Sequence, residues 1–147
     1  MRIPDIWWTA PAEAENGRLI MVTGRDSLDE VRADGRYRYR ITITWRYNER
    51  PDGMPDDMDA ALMEEVTDAL LDAFKRDKVA VVTGIYTGDG IREYVLYTKN
   101  LRVFGIVLNK ALAELPTVPI VIDAQDDPDW EEYAEMRANT YIPPSDD

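Results

Sequence analysis

The most regular hydrophobic pattern of the chain lies between residues 37 and 47, where apolar and polar side chains alternate. The apolar positions are Tyr37, Tyr39, Ile41, Ile43, Trp45 and Tyr47. The polar positions are Arg36, Arg38, Arg40, Thr42, Thr44 and Arg46. A period of two predicts a β-strand over residues 37–47 with one buried face and one solvated face. The solvated face then carries four arginines.

Two segments instead repeat their apolar residues at steps of three and four, the spacing of an amphipathic helix. Residues 57–75 begin with acidic side chains and end with basic ones, an order that complements the helix dipole. Residues 101–115 follow Asn100, a residue type suited to a helix N-cap, and precede Pro116. The pattern predicts a helix over each segment.

Three more runs predict strands. Residues 79–86 and 92–98 are rich in β-branched and aromatic residues, and "TGDG" between them indicates a hairpin, since a strand follows it instead of a phosphate-binding helix. Residues 119–124 predict a short buried strand. The order over residues 36–125 is therefore βαββαβ. This order is typical of the α+β class and of a ferredoxin-like antiparallel sheet with two helices on one face.

The flanking segments extend this core. "DIWWTAP" and "RLIMVTGR" predict an extra N-terminal hairpin. "DPDWEEYAEMRA" predicts a C-terminal helix capped by Asp127, which Trp130 and Tyr133 hold against the sheet. Residues 142–147 predict a loose tail. At 147 residues the chain has the size of one domain, so we expect a single domain over residues 1–147.

Composition excludes several kinds of chemistry. The chain has no cysteine and no histidine, which excludes disulfides, thiolate catalysis and histidine-based triads. The acidic cluster at residues 123–132 lacks the glycine and the terminal glutamate of a calcium loop, so we expect no metal and no cofactor. No run of 18 apolar residues occurs, which predicts a cytoplasmic protein without a membrane span.

The formal net charge of −12 is unevenly distributed. Residues 1–50 hold nine arginines against eight acids, whereas residues 123–147 hold nine acids and Arg137 as their one base. Such an acidic end repels nucleic acid and favours basic partners. The aromatic side chains of the strand over residues 37–47 alternate onto its buried face, which also disfavours base stacking with RNA.

The arginine positions and a tryptophan pair are the candidate partner-binding residues. Three alternatives are open for the arginines. They form ion pairs with the chain's own acids, they are covered by the N-terminal hairpin or the C-terminal helix, or they form a docking surface for an acidic partner. The residues are Arg36, Arg38, Arg40 and Arg46. Trp7 and Trp8 are adjacent and point to opposite faces of a strand, so one fits the core and the other fits a partner or subunit contact. A homodimer is therefore among the expected assemblies.

Several of these features also carry a family resemblance. The tryptophan pair, the strand ending "ITITWRY", the hairpin "TGDGIREYVLYT" and the closing "DPDWEEY" together resemble the bacterial family called domain of unknown function 695, over nearly the whole chain. This resemblance implies no established activity and no functional residues. The βαββαβ order and the Asp-Trp-Tyr ending more distantly resemble the regulator of ribonuclease activity B, an acidic protein that inhibits ribonuclease E by binding it. That second resemblance implies a binding role.

The sequence thus predicts a non-enzymatic cytoplasmic protein that binds or regulates another protein. The alternative is a small enzyme or small-ligand binder that uses carboxylates and arginines in a cleft. An enzyme requires a concave pocket where polar side chains converge, whereas a binding protein presents an exposed patch.

Overall fold

A computed structural model describes residues 2–143 of the chain. Its strands are β1 (Trp7–Glu13), β2 (Leu19–Arg25), β3 (Tyr39–Arg46), β4 (Ala80–Gly88), β5 (Ile91–Thr98) and β6 (Ile120–Asp126). Its helices are α1 (Asp29–Ala33), α2 (Asp57–Arg76), α3 (Leu101–Leu112) and α4 (Glu131–Thr140). The predicted mixed α+β class is confirmed.

The six strands form one sheet in the order β1-β2-β4-β5-β3-β6, and all neighbouring strands are antiparallel. The predicted N-terminal hairpin is β1 and β2, which joins the sheet through β4. The predicted "TGDG" hairpin turns at Asp89 and Gly90, whose φ angles of 52° and 82° fit the left-handed conformation that tight hairpins need. β1 and β6 are consequently the two edges of the sheet.

Helices α2 and α3 cover one face of the sheet, the α2/α3 face. The alternation in β3 places Ile41, Ile43 and Trp45 on this face, where each is at most 2% exposed. The ring of Phe74 on α2 stacks on the ring of Phe104 on α3, with centroids 5.4 Å apart. Asp56 and Asn100 cap the two helices by accepting backbone N–H bonds, as the sequence predicts for Asn100.

The other face, the α4 face, has a second core beneath α4 and α1. Its buried aromatic residues are Trp8, Tyr37, Tyr97, Trp130 and Tyr133. Trp130 stacks on the ring of Tyr97 with centroids 4.4 Å apart, and Tyr133 packs edge-on against Trp130. The prediction that Trp130 and Tyr133 hold the terminal helix against the sheet is confirmed.

Two predicted boundaries near the arginines are wrong. β3 begins at Tyr39 and not at residue 37, and Tyr37 lies in the α4-face core instead of the α2/α3-face core. The reason is that the Tyr37 carbonyl accepts the indole N–H of Trp130 over 2.7 Å, which turns this residue away from the ladder of β3. α4 begins at Glu131 and not at the predicted Pro128, since Trp130 adopts a left-handed conformation with φ 57° and ψ 43°. The side chain of Asp127 still accepts backbone N–H groups of the first turn, as the prediction of a cap requires.

The strand predicted at residues 119–124 is present as β6, but the prediction that it is buried is wrong. β6 lies at the edge of the sheet and pairs with β3 alone among the described residues, and Val121 and Ile122 are 69% and 48% exposed. A short apolar run does not reveal whether one or both sides of a strand will be covered. α3 ends at Leu112, three residues before its predicted end, and α1 was not predicted.

Two further expectations concern the chain ends and the membrane. Of the predicted loose tail at residues 142–147, the last four residues lie outside the described part of the chain. Within residues 2–143 none of the helices is long and apolar enough to span a bilayer.

Candidate functional site

A buried carboxylate, that of Asp127, joins the sheet to the start of α4. This residue is 5% exposed. It accepts hydrogen bonds from the Tyr97 hydroxyl over 2.6 Å and from Arg40 Nη1 over 3.1 Å. It also accepts the backbone N–H groups of Glu131 and Glu132 over 2.8 Å and 3.3 Å. A buried charge is stable only with such partners, and here one cation and three neutral donors supply them.

The same contacts set the protonation states of the pair. Burial acts to raise the pKa of Asp127, but the hydrogen bonds from Tyr97, the two backbone N–H groups and Arg40 outweigh it and lower the pKa. Burial and the adjacent carboxylate of Asp127 raise the pKa of Tyr97 far above its usual range. Asp127 is therefore ionised and Tyr97 protonated near neutral pH, so Tyr97 acts as a hydrogen-bond donor and not as a base.

A second carboxylate, that of Glu132, lies beside the first. The Tyr86 hydroxyl donates to Glu132 Oε1 over 2.6 Å, while Oε2 is buried without a hydrogen-bond partner among the described residues. Burial raises the pKa of Glu132, against the opposing effects of the Tyr86 hydrogen bond and the charge of Arg40. Of the two carboxylates, that of Glu132 is the less well stabilised, because its ionised form lacks a full set of hydrogen-bond donors. We call this shortage of donors the strain at Glu132.

The carboxylate cluster fits a structural role better than a catalytic one. A cavity of about 210 Å³ on the α4 face reaches Tyr86 and Glu93, but neither Asp127 nor Glu132 lines it. Across residues 2–143, no three acidic side chains are placed to share a metal ion. The donors around Asp127 are committed to it, so the cluster anchors α4.

The four predicted arginines are not brought together as one surface. Arg40 and Arg46 lie on β3 about 20 Å apart, at roughly 3.4 Å per residue. Arg36 and Arg38 precede the strand, and Arg36 pairs with Asp34 over 2.6 Å. Arg38 is exposed, with its guanidinium 5.6 Å from the centroid of the Tyr39 ring. Internal pairing, one of the three alternatives, therefore applies to Arg36 and Arg40.

The tryptophan pair points to opposite faces, as adjacent residues of a strand must. Trp8 is buried on the α4 face, where its indole N–H donates to Thr140 Oγ1 over 3.1 Å. Trp7 is half-buried on the α2/α3 face, its indole N–H donates to Asp5 over 2.6 Å, and the guanidinium of Arg25 lies 5.0 Å from its ring centroid. Both rings are engaged within the chain, which leaves little of either for a partner.

The exposed edge of β6 is a feature that sequence reasoning missed. Its side chains are exposed on both sides from Val121 to Asp126. Asp127 donates its backbone N–H to the Arg38 carbonyl over 2.8 Å. The odd-numbered residues of β6 are therefore the ones whose backbone groups bond to β3. Because an antiparallel ladder alternates, the N–H and C=O groups of Ile122 and Ala124 point to the outer edge.

The two edges of the sheet differ in how they resist pairing with another strand. β1 carries Pro11, which has no N–H to donate to a further strand. β6 contains no proline, and no strand of residues 2–143 pairs with its outer edge. The sequence does place an apolar strand, β6, directly before the acidic helix α4. That signal alone does not show that β6 lies at an edge, because the strand order is needed to identify it.

Comparisons with known proteins return one match. The model of the family described as "Family of unknown function (DUF695)" matches residues 7–136. No curated protein and no solved structure matches the chain. None of these comparisons supports the distant resemblance to the regulator of ribonuclease activity B.

The contrast between Arg40 and Arg38 gives a test of the internal pairing. Replacing Arg40 with Met removes the one cation bonded to Asp127, so we expect the free energy of unfolding in urea to fall by about 1–3 kcal/mol. Arg38→Met is the matched control, since Arg38 is exposed, and it should change this free energy by less than about 0.5 kcal/mol. Equal losses in both variants would contradict the pairing.

Glu132→Gln tests the strain at the second carboxylate through its pH dependence. A pKa that is raised in the folded state makes stability fall as the pH rises from the unfolded value, about 4.3, through the folded one. At pH 7.5 we therefore expect Glu132→Gln to melt at a higher temperature than the native chain, with the difference disappearing towards pH 4. Exposed Glu131→Gln makes the same change in net charge, and an equal gain in that variant would refute the strain.

Proposed function

This chain belongs to the DUF695 family, and we propose that it is a non-enzymatic cytoplasmic protein that binds another protein. In this proposal an extended basic segment of the partner pairs with the free edge of β6. The observation that carries it is the exposure of Val121 and Ile122, at 69% and 48%, on a strand whose outer edge is unpaired among the described residues. Exposed edges with unpaired backbone groups are templates for strand addition.

The backbone of β6 supplies the affinity in this mode of binding. The outward N–H and C=O groups of Ile122 and Ala124 form hydrogen bonds with an added antiparallel or parallel strand. The side chains that flank them supply selectivity, because Ile122 and Val121 project from opposite faces of the strand. The apolar residues of a partner strand with alternating apolar and polar residues all lie on one face, so they cover either Val121 or Ile122.

The charge around β6 selects a basic partner over a second copy of this chain. Asp123 and Asp126 are the charged residues of the strand, and α4 follows with Glu131 and Glu135 exposed. A second β6 would place the same acids opposite these, and like charges directly across a sheet destabilise the pairing. Lysine or arginine in the partner would instead meet carboxylates.

The arrangement of the central strands also fits this function. We propose that the segment from β3 to β6 is a ferredoxin-like unit, supported by its strand-helix-strand-strand-helix-strand order and by the neighbours β4-β5-β3-β6. The added hairpin of β1 and β2 extends this unit on the β4 side only. The β6 side is left as the edge on which a partner strand adds.

A second candidate function, the binding of a small ligand, is favoured by a different observation. A cavity of about 300 Å³ lined by basic side chains lies beside β2 and β4, away from the β6 edge of the sheet. Its volume is at the lower end for ligand pockets.

The edge pairing is tested with fluorescent seven-residue peptides in which Val alternates with either Lys or Glu. Fluorescence anisotropy should show the lysine peptide binding at least about tenfold more tightly than the glutamate peptide, equivalent to about 1.4 kcal/mol. Ile122→Pro removes one outward N–H while leaving the ladder to β3, so it should weaken the lysine peptide by about tenfold. Ile122→Val, the matched control, should bind as the native chain does.

Three outcomes would overturn the proposal. One is equal binding of the two peptides, and another is full binding by a folded Ile122→Pro variant. The third is a native dimer in analytical ultracentrifugation that Ile122→Pro dissociates, because the edge would then be occupied by a second copy. The circular dichroism spectrum and urea midpoint of Ile122→Pro establish that this variant is folded.

A further inference from the structure

A basic cavity of about 300 Å³ lies on the α2/α3 face, away from β6. It is bounded by the N-terminal residues 2–5, the end of β2, the C-terminal part of α2 and the start of β4. Its charged lining residues are Arg2, Asp5, Arg25, Lys75 and Lys78. Four cations and one carboxylate thus surround a concave space in a chain whose net charge is −12.

Arg25 is the innermost of these cations, and its side chain is 12% exposed. Its Nε donates to the carbonyl of Pro4 over 2.7 Å, and its Nη1 donates to the carbonyl of Val82 over 3.3 Å. These bonds and the ring of Trp7 hold the guanidinium plane in one orientation. The group is therefore positioned before any ligand arrives.

The charge of Arg25 is incompletely neutralised by the described residues. Nη2 lies 4.0 Å from Asp5 Oδ1, beyond hydrogen-bond distance, and the Asp5 side chain is 79% exposed. Burial lowers the pKa of Arg25, against the attraction of Asp5, which shows the cost of desolvating this cation. The two backbone carbonyls orient the guanidinium but carry no net charge, so a counter-charge at Nη2 would stabilise the site.

Helix electrostatics accounts for only part of the basic lining. Lys75 lies in the last turn of α2 and Lys78 just beyond it, where cations complement the helix dipole. Arg25 lies on β2 and is turned inward by the carbonyls of Pro4 and Val82. The helix dipole therefore does not account for this buried cation, and an anion in the cavity would supply its counter-charge.

We propose that this cavity binds a small organic anion with a carboxylate or phosphate group, which Arg25 holds through Nη2. A guanidinium presents planar, charge-assisted donors that match both oxyanions. Lys75, an exposed residue of the lining, contributes a second positive charge, and the apolar side chains of Leu71 and Phe74 contact the carbon skeleton. The cavity size favours a ligand of few heavy atoms. This proposal is independent of the one for β6.

The test is isothermal titration calorimetry of the full chain with succinate, citrate and inorganic phosphate at constant ionic strength. At least one of these anions should bind with a dissociation constant below about 1 mM. Arg25→Lys keeps the charge but loses the planar donors, so it should weaken that anion at least about tenfold. Lys75→Met should weaken it by a smaller factor, about threefold. Arg50→Met, an exposed charge that pairs with Asp52 elsewhere, is the control and should leave binding unchanged.

Amide chemical shifts distinguish the site from general attraction to cations. Titration of the native chain should shift the amide signals of Val81, Val82 and Arg25, and this readout remains informative if Arg25→Lys does not fold. Preference for citrate or succinate over phosphate would assign a carboxylate ligand, and the reverse preference a phosphate ligand. No binding of any of the three anions, equal weakening by Arg50→Met, or shifts spread over all exposed lysines and arginines would overturn the proposal.

Discussion

The hydrogen-bonded carboxylate of Asp127 is the interaction on which the α4 face depends. It accepts donors from β5, β3 and the start of α4 at once. Without it, the first turn of α4 would have no carboxylate to accept its N–H groups, and Arg40 would lose its anion. Trp130 can adopt its left-handed backbone conformation, which costs about 1–3 kcal/mol for a non-glycine residue, because the surrounding bonds and ring stacking hold it there.

This anchoring determines which surfaces remain for other molecules. α4 covers the part of the sheet near Tyr97 and Trp8, and the chain reaches it directly from β6. No helix of the described part covers the outer edge of β6, and the side chains of this strand are exposed on both faces of the sheet. The segment that covers the α4 face therefore starts at one end of β6 and leaves the strand itself uncovered.

Local patterns predicted the regular elements well, because each depends on neighbouring residues. The period of two in β3 and the caps of α2 and α3 depend only on residues close in sequence. The position of β6 at an edge could not be predicted, since exposure depends on the order of strands far apart in the chain. The split of the arginines was missed for a similar reason: Tyr37 is turned by Trp130, 93 residues away. The basic cavity combines four separate segments, and no short motif encodes it.

Amide hydrogen exchange in Asp127→Asn tests the central claim most directly. Asparagine has nearly the same shape but no charge, so the account predicts faster exchange at Glu131, Glu132 and Tyr133 and along the rest of α4, while α2 and the central strands stay protected. Asp129→Asn, an exposed change beside the site, should exchange as the native chain does. Native protection of α4 in Asp127→Asn would contradict the claim that this carboxylate holds the helix to the sheet.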